Sequence, residues 1–422
     1  VLSFAVSATD DQGQPVNDPM VTWRAEPAFA GLTTAGGEYV AYSVGTARII
    51  AEAGGAADTV EVDVTSRDAP SGSFQVAWHE PVELRYTSDH WEHGDVAYTG
   101  TWGCRAVPGG QCGNTLYVWD ITVRTAPVLT DSIQVDARVV NDVKVRADGT
   151  LAIITHESSN DGLNGITLLD LTDPLQPTVI TRFAAPDLSP GVHNVWIEGD
   201  YAYLVVDGAV PSSGLRVLDI SDPANPLIVA SFYGGGSFLH DVYVRDGLAF
   251  LSHWTTGLIV LDVGNGVAGG SPTSPVEVSR IAVPGYDVHN AWYWPEAGYV
   301  FLGDEIAVPG RVLVIDVNDL SAPTQAASFT LAGAAPHNFW VDEDAGIAYF
   351  SWYENGIHAV DVSGRLLGEL DKQARQVASI QYDVGGACIA PSGTCSWAPQ
   401  LHDGLIYVSD LNSGLWVLQP TF

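Results

Sequence analysis

Four histidines in this chain recur at one place in a repeated pattern. His193, His240, His289 and His337 stand in VHNVWI, LHDVYV, VHNAWYW and PHNFWV, each followed directly by Asn194, Asp241, Asn290 or Asn338. In the preceding copy Asn141 and Asp142 hold the same two places. Neutral imidazoles are the commonest ligands for zinc, copper, iron and manganese, so four of them around one axis would hold a divalent transition metal. A residue written into every repeat also suits a structural duty, a hydrogen bond from one repeat to the next.

A second set of candidates follows the next strand of each repeat. ITHESSNDG carries His156 and Glu157, VVDGAVPSSG carries Asp207, LSHWTTG carries His253 and Trp254, LGDEIAVPG carries Asp304 and Glu305, SWYENG carries Tyr353 and Glu354, and VSDLNSG carries Asp410. His156 and His253 lie outside the repeat consensus, so no duty common to all repeats explains them. With Tyr353 they are the expected acid-base groups of a metal-dependent reaction. His90, His93 and His402 lie near their own inner strands but out of register with the four, as candidates for the same mouth. His79 and His358 read as structural or exposed.

The elements that must position these groups are repeated strands. LYVWDI from Leu116, ITLLDL from Ile166, LRVLDI from Leu215, LIVLDV from Leu258, VLVIDV from Val312 and IHAVDV from Ile357 each end in aspartate, and LWVLQP from Leu415 ends in Gln419. Their starts are 50, 49, 43, 54, 45 and 58 residues apart, the period of a four-stranded propeller blade. The histidine-bearing segment upstream of each reads as an inner strand, a tight turn and a second strand. Antiparallel pairing then puts the start of the inner strand and the loop after the second strand on one face, where imidazoles and carboxylates from many repeats converge. No outer strand follows LWVLQP, and SFQVAWHEPVELRYTS is expected to supply it, closing the ring and removing its open edges.

Residues 1–66 alternate with period two between turns, in VLSFAVSA, VTWRA, GEYVAYS, TARIIAEA and DTVEVDVTS, which is the pattern of a β-sandwich. The polar stretch 67–73 reads as a linker. The predicted fold is all-β: a small immunoglobulin-like sandwich over 1–66, then a seven-bladed β-propeller over 74–422.

The aspartate-ended strands resemble the LVIVD-repeat family of bacterial exported propellers, over roughly residues 90–420. The N-terminal run, with its VTW strand, GTA turn and final Val-rich strand, resembles the bacterial immunoglobulin-like type 2 domains. The first resemblance implies a propeller on the outside of a bacterium and no single reaction. The second implies a spacer or adhesive module without catalytic residues.

Composition bounds the function. With 46% hydrophobic residues the 422-residue chain can bury large cores, and no run of about 18 apolar residues exists to form a spanning helix. An export signal is expected to have been removed or to lie upstream. Acidic residues outnumber basic ones 50 to 17, giving a net charge of -33 that repels nucleic acid and anionic membranes. Cys104 with Cys112 and Cys388 with Cys395 bracket short Gly- and Pro-containing loops. Two local disulfides, and hence an oxidising compartment, are expected, because zinc pairs are usually spaced more tightly. The repeated aspartates Asp120, Asp170, Asp219, Asp262, Asp316 and Asp361 read as turn caps rather than calcium ligands, and DDQGQPVND near Asp10 reads as a turn. No P-loop, G-x-S-x-G elbow, H-E-x-x-H helix or dinucleotide fingerprint is present.

Two functions follow. One is a binding, adhesion or assembly module on the cell surface, whose partner is an extracellular protein, a glycan or another copy of the chain. The other is a metal-dependent extracellular enzyme, a glycan lyase or hydrolase or an oxidase, built on the histidine cluster.

Overall fold

The computed structural model describes residues 1–206, 208, 213–306, 308–383 and 387–422. Strands dominate, and the helical segments among the described residues are three single 3₁₀ turns. From residue 74 onward the described strands form seven sheets, each built on four antiparallel strands. They span 86–134 (sheet I), 143–184 (II), 192–232 (III), 241–281 (IV), 288–331 (V) and 339–380 (VI), and 396–420 together with Phe74–Glu80 (VII). The first strands, Tyr86–His93, Val143–Val145, Val192–Glu198, Asp241–Arg245, Val288–Trp294, Phe339–Asp342 and Ser396–His402, lie side by side in that order. The last returns to the first, so they enclose a channel. This is a β-propeller arrangement.

The aspartate-ended strand is the third of each sheet, and its sequence is explained by three local needs. A glycine commonly opens it or stands just before it: a Cβ on Gly257 would stand 2.2 Å from the Ile281 carbonyl oxygen, and one on Gly356, which precedes Ile357–Asp361, would stand 2.0 Å from that of Ile380. Its apolar residues are buried on both faces, because neighbouring sheets cover both sides. Leu258, Val260, Leu313 and Ile315 share one cluster between sheets IV and V. Full burial of each such side chain is worth roughly 1.5–3 kcal/mol. Near its end every third strand shifts register against the fourth, between Val118 and Trp119, Leu168 and Leu169, Val217 and Leu218, Val260 and Leu261, Val314 and Ile315, Ala359 and Val360, and Val417 and Leu418. Such a bulge increases the local twist and carries the strand into its turn.

The aspartates then cap that turn. Asp120 accepts from the backbone N–H and the hydroxyl of Thr122 at 2.8 and 2.6 Å, and Asp170, Asp219, Asp316 and Asp361 bond the residue two places on in the same way. Asp262 is fully buried and accepts four backbone N–H groups, from Gly264, Gly266, Ala268 and Gly270.

Phe74–Glu80 pairs with Gly414–Pro420 from Leu415 opposite Glu80 to Pro420 opposite Phe74, so the last sheet takes its outer strand from the start of the repeat region. Sheet V gains a short parallel fifth strand, Gly368–Glu369, within the irregular stretch before the seventh sheet. The two cysteine pairs are both disulfides. Arg105 reaches from one disulfide loop to the other, donating to the Pro391 carbonyl at 2.7 Å.

Residues 1–64 form two three-stranded sheets and a short hairpin. The two sheets share a small core of Ala25, Ala30, Tyr39, Ala47 and Ile49, with Phe4 and Trp23 beside it. Tyr42 meets the propeller by accepting the backbone N–H of Glu369 at 3.0 Å, and Arg67 pairs with Asp361.

Candidate functional site

The first strands carry three tiers of side chains into the channel. The upper tier at the mouth holds Asn141, His193, His240, His289, His337 and Trp397. The middle tier holds Asp89, Asp142, Asn194, Asp241, Asn290 and Asn338. The lower tier holds Trp91, Lys144, Trp196, Tyr243, Trp292, Trp340 and Gln400. Strand alternation alone would turn His193 and Asn194 to opposite faces. The register of Val192–Glu198 shifts between Val192 and Val195, however, and that of Val288–Trp294 shifts between Val288 and Ala291. The extra residue keeps consecutive side chains on the channel side and returns Trp196 and Trp292 to it.

The four repeat histidines form a continuous arc. Their ring centroids are 4.7 Å apart from His193 to His240, 4.3 Å from His240 to His289 and 4.2 Å from His289 to His337, and Trp397 continues the arc 3.9 Å beyond His337. His240 Nδ1 is 3.2 Å from the His289 carbonyl oxygen, His337 Nδ1 is 2.7 Å from that of Trp397, and His193 Nδ1 is 2.7 Å from Glu157 Oε1. With the proton on Nδ1 these three contacts leave Nε2 with its lone pair. His240 and His337 are held well below the ordinary histidine range, first by burial and then by neighbouring imidazoles. His289 is lowered by burial against the pull of Glu305 and Asp241. His240, His289 and His337 are therefore neutral at neutral pH, which is the ligating form.

Glu305 faces this arc. Its Oε2 lies 3.9 Å from His240 Nε2 and 3.8 Å from His289 Nε2, while its Oε1 accepts the Tyr353 hydroxyl at 2.7 Å. Burial and then the Glu305 carboxylate hold the Tyr353 phenol well above its ordinary value, so it stays protonated and donating. Two imidazoles and a carboxylate with ligand atoms within 4.8 Å of one another form the single such group among the described residues. Ligands on a tetrahedral centre with bonds of about 2.1 Å stand about 3.4 Å apart, so a small inward movement would bring all three onto one ion. A cleft of about 330 Å³ opens beside Glu305 and Tyr353, lined also by Trp102, Glu354, Ile389 and Trp397.

Of the groups named from sequence, the structure brings together His193, His240, His289, His337 and Tyr353 and leaves His156 and His253 apart. Each of these two ends the second strand of its sheet, in Leu151–His156 and Leu248–His253, and points into that sheet. His156 is fully buried with Nε2 3.1 Å from Thr167 Oγ1, and its charged surroundings are Arg182, Asp136 and Asp161 of its own sheet and loops. The ring of His253 lies against Gly234, whose added Cβ would meet it at 2.5 Å. The residue after each one turns the other way. Glu157 bonds His193, Trp254 stacks 5.1 Å from His240, and Glu305 and Tyr353 occupy the same place in sheets V and VI. Trp254 and Tyr353 both adopt positive φ, 33° and 38°, and that backbone turn aims them at the arc. Glu305 is thus the group that sequence reasoning named only among loop residues. The signal is strand parity: the residue that follows His156, His253, Asp304 or Trp352 turns towards the axis. Asp207 lies outside the described residues.

His90 has both ring nitrogens engaged, Nδ1 with Glu92 at 2.8 Å and Nε2 with the Ala398 carbonyl at 2.9 Å. His93 and His402 sit at the far end of their strands, against Gly149 and the Gly94 carbonyl, not at the mouth. His79 stacks on Trp416 at 3.6 Å, and His358 is buried beside Trp352.

Below the arc, hydrogen bonds tie the middle tier together and join it to Asn141 of the upper tier. Asn141 donates to Asn194 at 2.9 Å, Asn194 to Asp241 at 2.7 Å and Asn338 to Asp89 at 3.3 Å. Lys144 lies 3.4 Å from Asp89 and is paired with Asp142. The two carboxylates outweigh burial and keep it protonated.

Comparison with known proteins agrees with this architecture. The LVIVD repeat matches residues 191–233 and 239–283, the stretches that form sheets III and IV. A comparison with curated proteins returned no match. Among solved structures, the C-terminal WD40 domain of Sif2 is similar at 15% identity with a TM-score of 0.52, covering 89% of this chain and 89% of that one. At that identity the likeness is one of fold, a β-propeller.

Proposed function

We propose that this chain is an extracellular seven-bladed propeller that holds a divalent transition metal at its channel mouth, with His240, His289 and Glu305 as ligands. The metal would serve a ligand or substrate received in the adjoining cleft. The observation that carries the reading is the placement of Glu305 Oε2 within 3.9 Å of one histidine Nε2 and 3.8 Å of another. Two imidazoles and one carboxylate leave coordination positions open, which suits binding or chemistry at the ion rather than a closed structural site. His193 and His337 flank the ligands, and Tyr353 orients Glu305 by its hydrogen bond. Trp102, Trp397 and Glu354 offer apolar faces and a charge for an extracellular ligand, such as a glycan. Two disulfides, and no helix among the described residues long and apolar enough to cross a membrane, are compatible with life outside the cell. In the same reading the seven sheets are the seven blades, and residues 1–66 are an immunoglobulin-like spacer before a linker at 67–73.

A second reading, an assembly or adhesion module without metal, is favoured by the contacts of His240 and His337 with the backbone of neighbouring sheets. The two readings separate on titration. Protein stripped with a chelator and titrated with Zn²⁺ or Mn²⁺ should take up one equivalent, and Glu305→Gln should weaken uptake at least tenfold without altering the fold. No uptake by the wild-type protein leaves the assembly reading.

A further inference from the structure

The lower tier of the channel carries a feature that the metal reading does not use. Trp91, Trp196, Tyr243, Trp292 and Trp340, from five different sheets, form a closed aromatic ring. Successive centroids are 6.0 Å apart from Trp91 to Trp196, 4.5 Å to Tyr243, 5.3 Å to Trp292, 4.8 Å to Trp340 and 6.2 Å back to Trp91. A pentagon with these sides has its centre about 4.5 Å from each centroid, inside the roughly 6 Å at which a cation is attracted to an aromatic ring. All five rings line one cavity of about 70 Å³ on the channel axis, and the four tryptophans are only half-buried.

Three further observations point to a cation. The ring already receives one from inside, since Lys144 Nζ lies 5.0 Å from the centre of the Trp91 ring. On the outer side, Glu343 accepts the Trp292 indole N–H at 2.9 Å and a hydrogen bond from the Arg245 guanidinium at 2.5 Å, so a carboxylate shared with Arg245 stands at the rim. Beyond it, the turn joining first and second strands carries an acidic residue in every sheet: Asp95, Asp148, Asp200, Asp246, Glu296, Asp344 and Asp403. Turn chemistry accounts for acidic residues in such turns, but their summed charge is the same whatever placed them there. Arg124, Arg146 and Arg245 pair with all of these but Asp344, and three guanidinium groups against seven turn carboxylates and Glu343 leave an excess of negative charge around the opening. A mouth of one sign with apolar walls concentrates counter-ions.

We propose that this end of the channel is a binding site for a methylated organic ammonium group, seated in the ring of Trp91, Trp196, Tyr243, Trp292 and Trp340. The π faces supply no oxygen ligands, so a hard, strongly hydrated ion such as Ca²⁺ gains little there. A quaternary ammonium, large and weakly hydrated, fits both the aperture and the charge. The site is independent of the metal centre, which lies at the other end of the channel.

The test is calorimetric titration of the full chain with choline and with its neutral isostere 3,3-dimethylbutan-1-ol, together with tryptophan fluorescence. Choline should bind saturably with a Kd of about 1 mM or tighter, the isostere at least tenfold more weakly, and Trp340→Leu should lose at least tenfold in choline affinity. Glu343→Gln, at the rim, should weaken choline and leave the isostere unchanged. Equal binding of choline and isostere would overturn the proposal, as would no saturation by either below about 50 mM. The isostere comparison is made on wild-type protein, so it decides the matter even where Trp340→Leu fails to fold.

Discussion

Tyr353 donates its hydroxyl hydrogen to Glu305 at 2.7 Å, across the seam between sheets V and VI. Two loops that owe each other nothing in sequence thereby fix the oxygen that faces His240 and His289. A group that orients a ligand from outside the coordination sphere is typically worth 10–100-fold in metal affinity. Tyr353→Phe keeps the ring and removes only the donor. It is expected to weaken metal binding about tenfold, measured by competition with a chromophoric chelator, with an unchanged thermal midpoint.

Two buried histidines should work against the fold as pH falls below 6.5. His156 and His358 are held down to about 4, chiefly by burial, from an ordinary value of 6.5. The unfolded chain therefore binds more protons than the native one between those values. Their contribution is complete above pH 6.5, falls as pH drops towards 4, and amounts to about 3 kcal/mol for each histidine. Urea unfolding at pH 7.5, 5.5 and 4.5 should show this decline, and His156→Gln should flatten it by one proton.

Asp262 is expected to be the most important of the turn aspartates. Burial works against its charge, yet four backbone N–H groups hold it far below the usual carboxylate range. A carboxylate lowered in the folded state stabilises above its unfolded value near 3.9, and that support is lost as pH falls through the folded one. Asp262→Ala strands those donors and should cost about 2–4 kcal/mol at neutral pH. Asp120→Ala, which leaves an exposed turn, should cost under about 1 kcal/mol. Chemical denaturation of the two variants side by side checks the order.

Ring closure gives a prediction about truncation. Removal of residues 1–66 takes away the small N-terminal core and its contacts and should leave a folded, monodisperse propeller. Removal of residues 1–80 also takes Phe74–Glu80 and bares the whole edge of Gly414–Pro420. That product should aggregate, as read by size-exclusion chromatography with light scattering.

The scaffold was legible in the sequence because its repeats answer to local physics. The aspartate-ended strand encodes a buried strand, a bulge and a capped turn, and SFQVAWHEP could be assigned to the closing edge because the last copy lacked a partner. The site was half legible. His193, His240, His289 and His337 were found by their recurrence, and recurrence also explains why His240 and His337 bond neighbouring sheets. Glu305 does not stand out from His156 and His253 in the sequence, because a loop string does not show which of two adjacent residues turns towards the axis. His93 and His402 were near the right strands but at the wrong end. The aromatic ring was present in the text as the Trp or Tyr three residues after each repeat histidine. For Trp196 and Trp292 normal alternation points the ring away, and the bulge in the first strand returns it to the channel.

The most direct test of the metal centre is anomalous diffraction from crystals of the full chain grown with one equivalent of Zn²⁺. The account predicts a single strong peak at about 2.0–2.2 Å from Nε2 of His240, Nε2 of His289 and a carboxylate oxygen of Glu305. A peak elsewhere, or none at this mouth while zinc is shown to be bound, would contradict it.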